Sequence, residues 1–226
     1  MSKQSIYSKN FIICFISTFI FSFSFNYLIP VMPVYLAGIG KNKSEIGIIV
    51  GAFFASSIIL RPAVGVILRS YSGKRLMILG AGIFAVAPAL YLTTTAGVLL
   101  TAIRIFHGMG VAVFMTSAVI MVAETVHRAR LAHATGIYFT SVNAALAIAP
   151  LIGTTAGRYF SFSEQMIFLA AAALAVIILL LNIDDQPRQT ELSQPQPFLA
   201  VLKDRNVLAP TVVFASCTFC SGVINA

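Results

Sequence analysis

One strongly apolar stretch of the sequence, "LLTAIRIFHGMGVAVFMTSAVIMVA" (residues 99–123), contains an arginine and, one helical turn later, a histidine. A guanidinium within lipid hydrocarbon costs about 2.5–3.5 kcal/mol on insertion scales. Arg104 must therefore face water, backbone carbonyls, an anionic ligand or an acid from elsewhere. His107 lies three residues on and shares the same helix face. Its side chain has two candidate roles, that of a proton carrier and that of a neutral hydrogen-bonding group.

Further polar side chains interrupt apolar segments near the start of the chain and in its middle. Asn26 and Tyr27 lie in "FSFSFNYLIPVMP" (residues 21–33), and Tyr35 follows two turns later. Asn143 lies in a later apolar segment. An amide in the middle of a membrane helix is expected to face a cavity or another helix rather than lipid. These four residues are therefore candidates for ligand contact, together with Arg104 and His107.

The composition indicates which elements position these residues. The chain is 58% hydrophobic and 10% charged, with a mean hydropathy of +0.92. Soluble domains carry about 25% charged residues, so this composition favours a membrane protein. A helix crosses the bilayer core with about 20 apolar residues. The sequence predicts an all-α polytopic membrane protein with six complete spans, at 11–36, 46–68, 76–95, 98–123, 134–156 and 166–183.

The order of the apolar runs predicts three parts. Residues 1–183 form a six-helix bundle, and residues 184–206 form a polar, proline-containing cytoplasmic linker. A seventh run at 207–226 is expected to be the truncated start of a second bundle. No Asp or Glu lies inside the six complete spans. We therefore expect the proton-carrying residue to be His107 or to lie in helices beyond these.

Lysine and arginine are distributed unevenly between the two sets of loops. With a cytoplasmic N-terminus, three basic residues lie outside, namely Lys41, Lys43 and Arg158. Ten lie inside: Lys3, Lys9, Arg69, Lys74, Arg75, Arg128, Arg130, Arg188, Lys203 and Arg205. This bias predicts a multi-pass protein of the inner or plasma membrane with its N-terminus in the cytoplasm. Arg61 lies in the inner half of the second span, where it either snorkels to the headgroups or contributes to transport.

Three motifs resemble signatures of Major Facilitator Superfamily transporters, and the resemblance extends over essentially the whole chain. "RPAVGVILRSYSGKR" (61–75) is similar to the family's basic loop, with Arg69 where Asp is usual. "LTAIRIFHGMGVA" (100–112) is similar to the fourth-helix signature, with His107 where Gln is frequent. "GIYFTSVNAALAIAPLIGTTAG" (136–157) is similar to the antiporter signature of the fifth helix, with Ala145, Ala149 and Thr154 where glycine is usual.

The resemblance implies an N-terminal six-helix half plus the start of helix seven. It also implies proton-coupled efflux of small organic molecules by alternating access. The candidates for the substrate cavity are Asn26, Tyr27, Tyr35, Arg104, His107 and Asn143. Those for a cytoplasmic gate are Gly65, Gly73, Lys74, Arg75, Glu124 and Arg130. The small-residue motif of helix five consists of Gly136, Ala145, Ala149, Pro150 and Gly153.

The expected partners are the lipid bilayer, a small substrate whose anionic group Arg104 would favour, protons, and a missing C-terminal half. The net charge of +8 follows from topology, so no nucleic acid is expected. Cys217 and Cys220 lack a second pair or a histidine cluster, so neither a metal site nor a cofactor is expected. No acid–histidine–nucleophile arrangement indicates an enzyme. The alternative to a transporter is a truncated half that inserts but does not transport alone.

Overall fold

The computed structural model describes residues 8–68 and 70–184, apart from the side chain of Arg128. These residues form six α-helices and a short 3-10 turn. The helices are α1 (Lys9–Gly38), α2 (Lys43–Ile67), α3 (Gly73–Tyr91), α4 (Gly97–Thr125), α5 (Leu131–Ala156) and α6 (Phe162–Leu181). Each is long and apolar enough to cross a membrane, which confirms the predicted all-α polytopic fold. The predicted seventh run, Cys217 and Cys220 lie outside the described residues.

Polar caps set where several helices begin. Asn42 and Glu45 form a capping box at the start of α2, and Ser161 and Glu164 form another at the start of α6. A serine side chain caps α1 and α3 in the same way. Such caps satisfy backbone N–H groups that the helix itself leaves without partners. These four helices therefore begin two to four residues before the predicted apolar runs. At its other end, α3 stops at Tyr91 instead of residue 95, because the threonines that follow form a turn.

Successive helices run in opposite directions and place their ends at two faces. The face where α1 begins is called the N-terminal face here, and the face where α1 ends is the opposite face. Helix α4 packs along α2 and α3, α1 packs along α5 and α6, and contact between α3 and α6 joins the two groups. Helices α1 and α4 are the most buried of the six. The two helices that carry most of the candidate cavity residues thus lie at the centre of the packing.

Glycines bring these helices close together. A Cβ on Gly108 of α4 would collide with the Phe53 carbonyl and the Ser56 side chain of α2. A Cβ on Gly80 of α3 would lie 2.8 Å from the carbonyl oxygen of Gly110 in α4. Small residues at such crossings let helix backbones approach and gain dispersion contacts, which are what holds helices together in lipid. The position of α4 between α2 and α3 therefore depends on these glycines.

Candidate functional site

Arg104 lies between two aromatic rings. Its side chain is only 3% exposed, and its Cζ atom lies 5.3 Å from the ring centroid of Phe53 and 5.5 Å from that of Tyr91. The faces of aromatic rings carry partial negative charge and attract a guanidinium at such distances. The sequence offered water, carbonyls, an anion or an acid as surroundings for this charge. Within the described residues, aromatic side chains from α2 and α3 lie against it.

His107 is fully buried beside Arg104. Its Nδ1 atom lies 3.1 Å from the hydroxyl oxygen of Tyr91, and its ring packs edge-on against Phe84, with centroids 4.2 Å apart. Phe53, Phe84, Tyr91, Arg104 and His107 together are called the aromatic cage below. Within the described residues, the Nε atom of Arg104 and the Nε2 atom of His107 have no hydrogen-bond partner. In the part of the chain that the structure describes, the cage thus holds a cation that no carboxylate contacts, and two of its polar nitrogens have no partner.

The spacing of residues along α4 explains how the cage forms. Arg104 and Gly108 are four residues apart, so they share the face of α4 that contacts α2. The close approach at Gly108 brings Phe53 against that face. Arg104 lies seven residues into α4, about 10 Å from its first residue at about 1.5 Å per residue. The cage therefore lies in the half of the bundle nearer the opposite face.

The candidate residues of α1 make contacts of other kinds. Asn26 is buried, and its Nδ2 atom donates to the carbonyl of Ser22 in its own helix at 2.8 Å. The hydroxyl of Tyr27 donates to Oε1 of Gln165 in α6 at 2.9 Å. Tyr35 stacks on Phe162 of α6 with ring centroids 3.6 Å apart. The structure thus brings Arg104 and His107 together and pairs Tyr27 and Tyr35 with α6. Asn143 is exposed on α5.

The candidate gate residues lie at the N-terminal face. The ammonium group of Lys74 donates to the carbonyls of Ile183 at 2.6 Å and Leu181 at 3.4 Å, just where α6 ends. This bond uses a cation to satisfy carbonyls that a helix end leaves without partners. Lys74 of the predicted gate is thus bonded to the end of α6.

The remaining gate candidates divide by burial. Gly73 is buried against Ser117 and Met121 of α4. Gly65 is half-buried, and Arg75 is exposed. The half-buried residues Glu124 and Arg130 lie at the N-terminal face, where α4 ends and α5 begins. Arg61 is exposed on α2, within two turns of the end of that helix at this face.

The start of α1 joins the end of α6 at the N-terminal face. The side chain of Asn10 exchanges two hydrogen bonds of 3.1 Å with the backbone of Asp184. The ammonium group of Lys9 lies 3.4 Å from the Asp184 carboxylate. Together with the Lys74 bonds, these contacts tie the beginnings of α1 and α3 to the end of α6.

The small-residue motif of α5 contains two kinds of position. Ala145, Ala149 and Gly153 are buried where α5 crosses α1. A Cβ on Gly153 would lie 2.6 Å from the carbonyl oxygen of Tyr27. Pro150 is half-buried between them, whereas Gly136 is exposed and a Cβ there would meet nothing within 4 Å. Ala145, Ala149 and Gly153 therefore lie at the crossing of α5 with α1, whereas Gly136 lies outside it.

Three side chains central to these contacts are absent from the sequence-based candidates, namely Phe53, Tyr91 and Gln165. Tyr91 ends an apolar run in which no other tyrosine occurs, and Gln165 follows a capping serine. Those signals mark polar groups at helix ends. They do not reveal which neighbouring helix the groups contact, because that depends on the packing of the bundle.

These observations define the class of protein to which the chain belongs. The described residues form a polytopic membrane bundle with a buried arginine–histidine pair in its most buried helix. The family model of the Major Facilitator Superfamily matches residues 14–225. The chain therefore belongs to the Major Facilitator Superfamily, as its three motifs predicted.

Individual relatives agree with this membership. The chain is 26% identical over 180 residues to the uncharacterized MFS-type transporter MJ1560 of Methanocaldococcus jannaschii. It is 24% identical over 176 residues to the quinolone resistance protein NorA of Staphylococcus aureus. Each alignment covers 78% of this chain but only 46% and 45% of the respective relatives. The chain thus spans a little under half the length of these relatives.

Proposed function

We propose that this chain is the N-terminal half of a secondary transporter that exports small organic molecules in exchange for protons. The observation that carries the proposal is the Arg104–His107 pair, which is buried in α4 and has no carboxylate partner among the described residues, in a member of a transporter superfamily. Ionisable groups inside a membrane protein are costly and usually mark the path of a solute or a proton. Similarity to NorA supports efflux as the direction of transport.

Alternating access supplies the mechanism that we propose. Two six-helix halves would rock about a site near the middle of the membrane, each moving as a unit. The glycine crossings at Gly80, Gly108 and Gly153 support movement as a unit, because they pack α1–α5 and α2–α4–α3 closely. An anionic group on the substrate would be attracted by the positive charge of Arg104. We propose Asn26, Tyr27, Tyr35 and Asn143 as further substrate contacts, reached in other states of the cycle.

His107 is the proton carrier that we propose within the described residues. Its Nε2 atom has no partner there, so it is able to accept a proton in the tautomer whose Nδ1–H donates to Tyr91. Its Nδ1 atom is held by the hydroxyl of Tyr91, which fixes the orientation of the ring. The alternative role is a neutral one, in which His107 positions Tyr91 over Arg104. The two roles differ in one measurable respect, the dependence of transport on a proton gradient.

We further propose that the N-terminal face is cytoplasmic and that the protein resides in the cell membrane. Lys9, Lys74, Arg75 and Arg130 lie at that face, whereas Lys41, Lys43 and Arg158 lie at the opposite one. The basic loop and Glu124 would then form a cytoplasmic gate. Labelling of single cysteines in intact cells tests this orientation. A cysteine at position 43 should react with an impermeant thiol reagent, and one at position 75 should not.

Transport by the intact protein in proteoliposomes tests the function. A quinolone is the first compound to try, given the similarity to NorA. We expect uptake driven by a pH gradient and abolished by a protonophore. Arg104→Ala should remove uptake, whereas His107→Gln should leave exchange of bound substrate but remove its dependence on the gradient. Lys43→Gln, an exposed cation on α2, is the matched control. Unchanged transport in both cage variants would contradict the proposal.

A further inference from the structure

A second concave region lies at the opposite face, where α1 and α5 end and α6 begins. It is a cavity of about 420 Å³, within the range of about 300–1,000 Å³ that small ligands occupy. Its lining is predominantly apolar. None of the aromatic-cage residues lines it. The cavity is therefore distinct from the site around Arg104, and of the proposed substrate contacts only Tyr35 lines it.

The walls of the cavity are rigid and apolar. Pro30, Val31 and Val34 of α1 form one side. The stacked rings of Tyr35 and Phe162 form another, with centroids 3.6 Å apart. The close crossing at Gly153 fixes the distance between α1 and α5 on this side. Stacked rings and a tight crossing keep such a space open without a ligand, so the cavity is preformed.

Gln165 is a buried polar residue in the cavity wall, and its amide already has hydrogen-bond partners. Its Oε1 atom accepts from the hydroxyl of Tyr27 at 2.9 Å, and its Nε2 atom donates to the carbonyl of Phe160 at 3.0 Å. The amide is thus engaged by neighbouring groups and offers little to a polar ligand. The apolar lining of the cavity favours a hydrocarbon chain.

The entrance carries a single cation. Arg158 lines the cavity from the turn after α5, is exposed, and forms no ion pair with any residue that the structure describes. The nearby carboxylate of Glu164 is engaged by Ser161, whose backbone N–H and hydroxyl donate to it at 2.7 and 2.8 Å. The rim is also apolar, since Val34 is 72% and Phe160 56% exposed. An apolar slot with a cation at its mouth is complementary to an amphipathic anion.

We propose that this cavity binds an anionic phospholipid, with one acyl chain between α1, α5 and α6 and the headgroup at Arg158. The position fits a lipid because the entrance lies at the ends of spanning helices, where headgroups meet water. The exposed apolar rim joins the cavity to the surface that faces acyl chains. A soluble anion would meet only Arg158 and leave the apolar walls unfilled. The bilayer thus supplies the ligand directly.

Native mass spectrometry of the intact, detergent-purified protein tests this proposal. The protein is mixed with equal amounts of phosphatidylglycerol and phosphatidylcholine, and the lipid that stays bound is counted. We expect phosphatidylglycerol to be preferred, and Arg158→Gln to reduce that preference about fivefold, the effect of one basic residue near an anionic headgroup. Lys43→Gln removes an exposed cation at the same face away from the cavity and should preserve the preference. Val34→Phe should reduce the retention of both lipids by narrowing the entrance.

Other outcomes would overturn the assignment. Equal preference in wild type and Arg158→Gln would show that the headgroup is not held there. A loss as large in Lys43→Gln would show that only the general charge of this face matters. Glycerophosphate that competes as well as phosphatidylglycerol would show an anion site without an acyl-chain site. These readouts measure lipid rather than transport, so they stand apart from the fate of the proposed function.

Discussion

Removing the Tyr91 ring and removing only its hydroxyl should have different effects on the stability of the protein. Tyr91→Phe keeps the ring 5.5 Å from the Arg104 Cζ atom and deletes only the hydroxyl that lies 3.1 Å from His107. Hydrogen bonds within membrane proteins contribute about 0.6 kcal/mol on average and at most about 1.7 kcal/mol. We therefore expect Tyr91→Phe to lower the free energy of unfolding by about 1 kcal/mol.

Tyr91→Leu deletes the ring as well. A desolvated cation–π contact is worth about 2 kcal/mol, so the leucine variant should lose at least about 2 kcal/mol more than the phenylalanine variant. Part of any difference comes from the smaller volume of leucine. An Arg104→Leu background separates the two contributions, because only the cation–π part requires the guanidinium. The difference between the two Tyr91 variants should therefore shrink by about 2 kcal/mol in that background.

Denaturant unfolding of the intact protein in detergent measures these differences. Tyr159→Phe changes a tyrosine that is 79% exposed at the opposite face and should leave the stability unchanged. If the Tyr91→Phe and Tyr91→Leu variants are equally stable, the ring does not hold the guanidinium. The same conclusion follows if their difference is as large without Arg104 as with it. In either case the account of how Arg104 remains buried would be wrong.

Three further substitutions test other contacts. Gly108→Ala should lower the free energy of unfolding by about 1–3 kcal/mol, because the new Cβ would collide with α2. Gly136→Ala places its Cβ in open space and should be neutral or slightly stabilising. Equal effects of the two substitutions would contradict the close crossing. Lys74→Met should lower the melting temperature in detergent, because it removes the bonds to the end of α6. Arg75→Met changes the exposed neighbouring residue and should leave the melting temperature unchanged. Similar melting temperatures for both variants would contradict the role of Lys74 at the end of α6. Tyr27→Phe should lower the free energy of unfolding by about 1 kcal/mol in the same assay, because it leaves Oε1 of Gln165 buried without its donor. An unchanged stability would show that water replaces the hydroxyl.

The 226-residue chain alone provides a test of the truncated-half alternative. We expect it to insert into membranes but not to transport when purified as a monomer, because α2 and α5 leave most of their surface uncovered. Proteoliposome uptake by the monomer would contradict this expectation. Insertion is measured separately, by resistance of the spans to protease in vesicles.

Hydropathy alone located all six helices, because the bilayer imposes a length and a composition that any spanning helix must meet. The ends of the helices were less well predicted. The capping residues Asn42 and Ser161 are polar and lie outside the apolar runs, so a scan for hydrophobicity ends before it reaches them. The end of α3 was placed too far along because the threonines after Tyr91 are neither apolar nor strongly polar.

The candidate site shows where sequence reasoning reaches its limit. The sequence of α4 alone showed Arg104, its spacing from His107 and the apolar residues around it. The identity of its neighbours was not, because Phe53 lies on α2 and Tyr91 on α3, and no local pattern pairs them. Lys74 shows the same limit. Its charge predicted a place in the basic loop, and only the packing of α3 against α6 shows that it bonds to backbone carbonyls.

The aromatic surroundings of Arg104 have an electrostatic consequence. A carboxylate beside a guanidinium would turn the charge into a dipole, whose potential fades quickly with distance. Among the residues that the structure describes, no carboxylate pairs with Arg104. The rings of Phe53 and Tyr91 have no net charge, so they hold the cation in place without cancelling it. Its potential therefore extends through the low-dielectric bundle, where water screens it little. A negatively charged solute would feel this attraction before touching any atom of the protein.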